Sequence, residues 1–252
     1  MKISVITPSY NQAAFIEQTI KSVLEQDYKD IEFIIIDGGS TDGTIEILKK
    51  YDNHIKWVSE KDDGQSDAIN KGFKMATGDI LCWICSDDYF LPGAFQKIVG
   101  FFKNNPEKKW FTGDTIYVDE EDNLIFNFVS KYKRIWWKFP SYNALLILNY
   151  IPQQSTFWKK ELMEEYGYLD QNSVYQMDYD LWLRFFKKYP PTFVKEKLAS
   201  YRIHKKSKSG SQYRNMLNSD MQIFDKYSKN KFLKFIKFLH NKLVIFIYDI
   251  IK

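Results

Sequence analysis

The first ninety residues alternate four short apolar runs with segments whose apolar residues recur at helical spacing, and few folds accept that alternation. Residues 2–8 carry Ile3, Val5 and Ile6, and residues 31–37 are dense in Ile and Phe; residues 54–59 and 79–85 are the other two runs. Between them, residues 12–26 place Phe15, Ile16, Ile20, Val23 and Leu24 on one helical face. A second helix follows the Gly38-Gly39 turn, capped by Asp42 or a neighbour and reaching Tyr51, and residues 65–76 read as a third. Strands that are apolar throughout are buried on both faces, so the pattern predicts a mostly parallel sheet flanked by helices. Ligands bind such sheets outside the carboxyl ends of the strands. Small and acidic residues gather at those ends here: Pro8, Ser9 and Tyr10, then Asp37, then residues 59–63, then Ser86, Asp87 and Asp88.

The 252 residues suit one α/β domain with a small appendage. We expect that domain over residues 1–210, with a nucleotide-binding half over 1–90, and a separate helical, basic segment over 211–252. Residues 109–119 and 123–130 read as a small antiparallel hairpin around an acidic turn, residues 131–150 as irregular and aromatic, and residues 178–189 as a helix. The two cysteines build no disulfide framework, which fits a reducing, cytoplasmic setting. Both fall in the apolar stretch ILCWIC, where their odd spacing points them to opposite faces of a strand, as packing residues rather than a redox pair. No secretory leader and no apolar run long enough to cross a bilayer is expected.

Asp37 ends the second strand beside Tyr10, which follows the first. A carboxylate there can accept the imide N–H of a pyrimidine while Tyr10 offers a ring face; equally, Asp37 can cap the turn before Ser40. Asp87 and Asp88 stand together at the end of an apolar strand. Two adjacent carboxylates repel in such a setting unless a cation joins them, and oxygen ligands suit Mg2+ or Mn2+. A solvated acidic turn is the plainer alternative. Asp62, Asp63 and Asp67 form a second acidic group, in which Asp67 and Lys71, one helical turn apart, also fit an ordinary surface pair.

Taken in order, the segments ITPSYN, IIIDGGSTDGT, SEKDDGQSDAINKGFKMATGD and CSDD resemble the nucleotide-binding half of family-2 glycosyltransferases, which have the GT-A fold. IPQQSTFWKKELMEEYGYLDQNSVYQMDYDLWLRF resembles the family's acceptor-side half, over 91–210 here. The resemblance implies a metal-dependent, inverting transfer of a sugar from a nucleotide diphosphate donor to a saccharide or lipid-linked acceptor, and together with Asp37 it points to uridine as the base. It implies that Pro8, Tyr10 and Asp37 hold the base, and that Asp62 and Asp67 line the nucleoside. Asp87 would face the ribose and Asp88 the divalent metal. His204 would complete the metal site, although a lone histidine is more often a satisfied core or surface residue. Apart from the resemblance, Lys205, Lys206, Ser207 and Ser209 can close over a diphosphate as point charges and hydroxyl donors, or form a flexible basic loop that orders on donor binding. Asp178 would be the base acting on the acceptor; Met177 stands where the family often has a glutamate, and Gly38 where many members have a second aspartate.

Two other classes compete. A nucleotidyltransferase also uses a parallel sheet and acidic metal ligands, but it relies on a Gly-rich basic loop after the first strand, where this chain has TPSYNQ. A catalytically silent sugar-nucleotide binding module would not need Asp178. Nucleic acid is an unlikely partner class, because the basic residues interleave with apolar ones in the tail and no recognition motif accompanies them. In that tail Phe232, Phe235, Ile236, Leu239, Leu243, Phe246, Ile247 and Ile250 share one helical face, with Lys231, Lys234 and Lys237 on another side. Such a helix over residues 229–252 suits the inner surface of a membrane, a docked position on the domain, or a dimer contact.

Overall fold

A computed structural model describes residues 1–205 and 207–251. Strand β1 (Ile3–Ser9) leads into α1 (Ile16–Leu24), β2 (Ile31–Asp37) into α2 (Thr44–Lys49), β3 (Lys56–Ser59) into α3 (Gln65–Met75), and β4 (Ile80–Trp83) into α4 (Ala94–Asn104). The second half runs β5 (Trp110–Val118), β6 (Leu124–Ile125), α5 (Asn127–Trp137), α6 (Tyr142–Ile147), β7 (Thr156–Lys159), α7 (Glu161–Tyr166), α8 (Met177–Phe186) and β8 (Thr192–Arg202). Helices α9 (Lys208–Ser211), α10 (Tyr213–Tyr227) and α11 (Lys231–Ile251) follow.

One sheet joins both halves in the order β3-β2-β1-β4-β7-β5-β6, with β8 beside β5. β1 to β4 are mutually parallel, as expected from their apolar runs. β7 runs antiparallel to both β4 and β5, and so links the parallel half to the second half. Because side chains alternate across a strand, each strand feeds both layers. Ile34, Ile36, Leu81 and Trp83 pack toward α3 and α8, whereas Phe33, Ile35, Ile80 and Cys82 pack toward α1 and α4. The high aromatic content has its place on the first side: the Trp182 ring stacks on Trp83 at 5.7 Å and on Trp110 at 5.4 Å, with Trp158 set edge-on.

The expected hairpin is mostly absent. Its second arm pairs only at Leu124 and Ile125, and α5 begins at Asn127. The aromatic and β-branched residues of 123–130 favour a strand locally, but tertiary contacts decide otherwise. Ser130 Oγ donates to Thr115 O at 2.7 Å, and the Trp137 ring stacks on Phe193 at 5.0 Å. Residues 131–150, expected to be irregular, contain most of α5 and all of α6.

Residues beyond 211 pack on the domain through buried polar contacts. Asp180, 1 % exposed, accepts from Arg184 Nε, Lys226 Nζ and Tyr227 Oη at 3.0, 2.8 and 2.7 Å. That network ties α8 to α10 and removes Asp180 as a competitor of Asp178. Fully buried Lys237 of α11 lies 3.5 Å from Asp220 of α10 and over the Tyr179 ring of α8.

On the opposite edge of the sheet, buried Glu32 accepts from Ser4 Oγ, Lys56 Nζ and Thr77 N at 2.7, 2.8 and 2.8 Å. Burial alone would raise its pKa, but these donors outweigh it and hold the carboxyl down to about 2. A depressed carboxylate stabilises the fold above its unfolded pKa and loses that contribution as the pH falls through its folded one. We therefore expect Glu32 to supply about 2–3 kcal/mol near neutrality, lost between roughly pH 4.5 and 2. Glu32→Gln should flatten that window of the melting-temperature profile; equal acid sensitivity in both proteins would refute the assignment.

Candidate active site

The acidic pair sits just past β4, where the chain leaves the sheet. Thr19 of α1 holds this turn, its Oγ1 lying 2.6 Å from Asp88 O and 3.0 Å from Ser86 O. The Asp88 side chain is almost wholly buried; its Oδ1 accepts the Arg202 main-chain N–H at 2.7 Å and its Oδ2 accepts Gln154 Nε2 at 3.1 Å. Burial, and then the charge of Asp87, push its pKa well above the carboxylate range. His204, just past β8, brings Nε2 to 3.1 Å from Asp87 Oδ2, and its ring lies 4.9 Å from that of Phe15. The pair and the histidine, 116 or more positions apart in sequence, thus meet in one place.

This arrangement fits a divalent cation. Two carboxylates and an imidazole form a hard O/N donor set, and a cation would relieve the repulsion that drives up Asp88. Cys85 adds its sulfur to the same group, within 4.8 Å of a carboxylate oxygen of each aspartate. This corrects the sequence expectation for one of the two cysteines. Cys82 is a buried packing residue of β4, but Cys85 lies beyond the strand, half-buried, and accepts Gln65 Nε2 at 3.2 Å. Burial and the two aspartates push its thiol pKa well up, and a protonated thiol is a poor partner for a hard ion.

On the nucleoside side, Pro8 is buried near the end of β1 while Tyr10 is 62 % exposed, its ring open to a ligand. Asp37 is fully buried and serves the turn: Oδ2 accepts Gly39 N, Ser40 N and Ser59 Oγ at 3.0, 2.8 and 2.7 Å, and Oδ1 accepts Ser40 Oγ at 2.5 Å. The capping alternative is therefore realised. Asp62 lies directly above the turn, where a Cβ on Gly38 would come 2.7 Å from Asp62 Oδ2. The space a second aspartate would need at position 38 is filled by Asp62 instead. Asp67 forms the plain ion pair with Lys71 at 3.2 Å and also accepts Gln171 Nε2 at 2.9 Å, which joins α3 to the acceptor side. Burial opposes ionisation of Asp67, but the Asp63 N–H and Lys71 outweigh it and lower its pKa.

Asp178 is half-buried in the first turn of α8, and its Oδ2 accepts Asn149 Nδ2 at 3.2 Å. Burial raises its pKa above the ordinary carboxylate value, against the Tyr179 N–H and the charge of Lys133. Met177 beside it is buried and receives the Ser66 hydroxyl at 3.4 Å. Ser66 neighbours Gln65, whose Nε2 reaches Cys85, so α3 connects the start of α8 to the acidic turn. In the loop after β8, Ser207 is no donor to a ligand: its Oγ donates to His204 O at 2.8 Å and caps α9. Lys208 Nζ reaches Gln65 Oε1 at 2.8 Å, and burial lowers its pKa. Lys205 is exposed, while Lys206 and the side chain of Ser209 lie outside the described residues.

Three residues of the site carry no signal readable from the sequence: Asn149, Gln154 and Arg202. Arg202 is the most connected of them. It is 1 % exposed, its guanidinium donates to Asp87 O, Asp119 O, Glu120 O, Gln18 Oε1 and Asp122 Oδ1, and it lies over the rings of Phe15 and Tyr89. The acidic turn at 119–122 is thus a counter-charge for Arg202.

A mostly parallel sheet flanked by helices, with an acidic turn past β4 and an exposed aromatic ring past β1, places the chain in the α/β class. The chain belongs to glycosyl transferase family 2, which matches residues 4–167. An uncharacterized glycosyltransferase of Rickettsia typhi is 28 % identical over 208 residues, covering 80 % of this chain and 64 % of the relative. The chain thus spans somewhat less than two thirds of that relative's length. The Campylobacter jejuni GalNAc(5)-diNAcBac-PP-undecaprenol beta-1,3-glucosyltransferase is 27 % identical over 207 residues, 80 % of this chain and 65 % of that protein. Among solved structures, the Pyrobaculum calidifontis mannosyltransferase PcManGT in complex with GDP-Man and Mn2+ superposes with a TM-score of 0.69 at 19 % identity, over 96 % of this chain and 68 % of that one. The likeness shows a shared GT-A fold.

Proposed function

We propose that this chain is an inverting, metal-dependent glycosyltransferase that moves a sugar from a uridine diphosphate donor to a saccharide or lipid-linked acceptor, in the assembly of a cell-envelope polysaccharide or glycoconjugate. The observation that carries the reading is the meeting of Asp87, Asp88 and His204 in one acidic turn, joined through α3 to a separate carboxylate, Asp178. Asp88 and His204 would hold a Mg2+ or Mn2+ ion, which when bound supplies Lewis-acid stabilisation of the diphosphate as it leaves. Asp87 faces the ribose. Tyr10 supports the base from its exposed ring, and Asp62 and Asp67 bound the nucleoside. The choice of uridine rests on Asp37 and the family resemblance. Asp178 takes the proton of the attacking acceptor hydroxyl, and a single displacement inverts the anomeric carbon. A lipid-linked acceptor agrees with what the Campylobacter relative's name says it acts on. No described helix is long and apolar enough to cross a membrane, so we place the chain at the cytoplasmic face, held there peripherally.

A thermal-shift panel of nucleotide sugars with Mn2+ tests the donor: selective stabilisation by uridine donors is expected. Selective stabilisation by guanosine donors would overturn the choice of base, and no stabilisation by any of them would overturn the reading. Chelator should abolish transfer, and added Mn2+ or Mg2+ should restore it; full activity in excess chelator contradicts the metal role. The raised pKa of Asp178 sets a pH expectation. A base must be deprotonated to act, so the acid limb of kcat should lie above the pH at which an ordinary aspartate ionises. A profile flat down to that value would refute Asp178 as the base.

A further inference from the structure

Helix α11 docks with its polar side inward. Lys237 is 0 % exposed and Asn241 6 %, the latter donating to Leu217 O at 2.8 Å, while on the opposite side Phe232 is 71 % exposed, Phe235 58 %, Leu243 56 % and Phe246 61 %. The sequence expectation of a docked helix and that of an apolar outer face both hold, on opposite sides of the same helix. Ile236 and Ile247 of the expected face are half-buried, and the side chain of Ile250 lies outside the described residues. An amphipathic helix normally turns its apolar face to the core. Here the domain is held by a buried cation and an amide instead, which leaves the apolar face outward.

A second helix shows the same feature. On α5, Phe128, Tyr132 and Ile135 recur at spacings of four and three, so they share one face, and Phe139 follows two residues past the helix. All four are exposed, Ile135 by 61 % and Phe139 by 80 %. Tyr132 of that face stacks on His240 of α11, with ring centroids 6.3 Å apart and planes 11° from parallel. This contact brings α5 beside the flank of α11. Residues 127–139 carry Lys131, Lys133, Arg134 and Lys138 with no acidic residue, and residues 229–252 carry six lysines, of which Lys237 is buried beside Asp220, and Asp249 as their one acid.

We propose that α5 and α11 together form a docking platform for an anionic lipid bilayer. Aromatic and aliphatic side chains flanked by lysines match the acyl–headgroup boundary of such a surface, where each basic residue adds attraction to acidic headgroups. A second copy of the chain is the poorer occupant, because a two-fold contact would set two cationic borders against each other. The platform adjoins the acceptor side: Lys133 of α5 is close enough to act electrostatically on Asp178. A bilayer on this face would bring a lipid-linked acceptor to the base edge-on rather than from bulk water. The surface proposal stands on the two helices and does not require the transferase reading.

Vesicle co-sedimentation of the full chain tests it, using phosphatidylglycerol-containing and pure phosphatidylcholine vesicles, with no nucleotide present. Strong binding to the first and weak binding to the second is expected. The exposed double variants Phe128→Ser/Ile135→Ser on α5 and Phe235→Ser/Leu243→Ser on α11 should each weaken binding at least about tenfold, with circular dichroism and melting temperature unchanged. Unaltered binding in the α5 variant would overturn the two-helix platform. Equal binding to both vesicle types would overturn the role of charge. Absence of binding, or a dimer that the substitutions dissolve, would overturn the bilayer as occupant.

Discussion

Asp178→Asn is expected to leave donor binding close to that of the unmodified chain while lowering turnover at least about a hundredfold, the usual scale of a lost general base. The asymmetry follows from where the residue sits. Asp178 opens α8 and takes one hydrogen bond from Asn149, whereas Cys85, Asp87 and Asp88 group past β4, with His204 on Asp87. The substitution is nearly isosteric and keeps the Asn149 contact within reach, so the fold should be indifferent to it. Loss of turnover at saturating donor, with KM for the donor little changed, marks an interaction made only in the transition state. Unchanged turnover would remove Asp178 from the mechanism. Asp180→Asn serves as the contrast: Asp180 binds Arg184, Lys226 and Tyr227, so its loss should lower stability rather than turnover per folded molecule.

The second large effect is expected at Arg202. Its guanidinium reaches five oxygen acceptors from an almost fully buried position, one of them the main-chain oxygen of Asp87. Removing the guanidinium leaves four neutral acceptors and the exposed Asp122 carboxylate without their donor, at about 1–3 kcal/mol for each acceptor that stays buried, so a loss of about 3–5 kcal/mol is expected. Arg202→Met should therefore lower the melting temperature by roughly 6–20 °C, given about 2–4 °C per kcal/mol in a chain of this size. It should also loosen the acidic turn and weaken metal-dependent donor binding in whatever fraction stays folded. Arg202→Lys keeps the charge but not the planar fork of donors, and should recover only part of either property. A melting temperature unchanged in the Met variant would show that the network is ornamental.

The first half of the fold was legible because its strands are apolar throughout and their ends are acidic, two signals that survive without tertiary information. Asp87, Asp88 and Asp178 were singled out as candidates because they stand in segments whose order along the chain is itself distinctive. Residues 123–150 were misread because local preference and tertiary packing disagree there: Phe126, Phe128 and Val129 favour a strand, yet Ser130 and Trp137 anchor a helix to β5 and β8. Asp37 shows a different limit. A residue at a strand end can serve a ligand or a turn, and only the coordinates of Ser40 and Ser59 show that the turn has most of its oxygens. Cys85 was placed inside a strand that ends two residues earlier, at Trp83. Arg202 could not have been found, since its partners lie up to 184 positions away and share no spacing rule. Sequence pattern reports what neighbours along the chain have in common, and the clamp is made entirely of residues that are not neighbours.

The most direct test of the account is calorimetric titration of UDP in the presence and absence of Mn2+, with the unmodified chain, Asp88→Asn and Asp178→Asn side by side. If the acidic turn holds a cation against the diphosphate and the base stands apart from it, UDP binds tightly only with Mn2+, the Asp88 variant loses that dependence together with the affinity, and the Asp178 variant keeps both. Equal, metal-independent binding in all three proteins would contradict it.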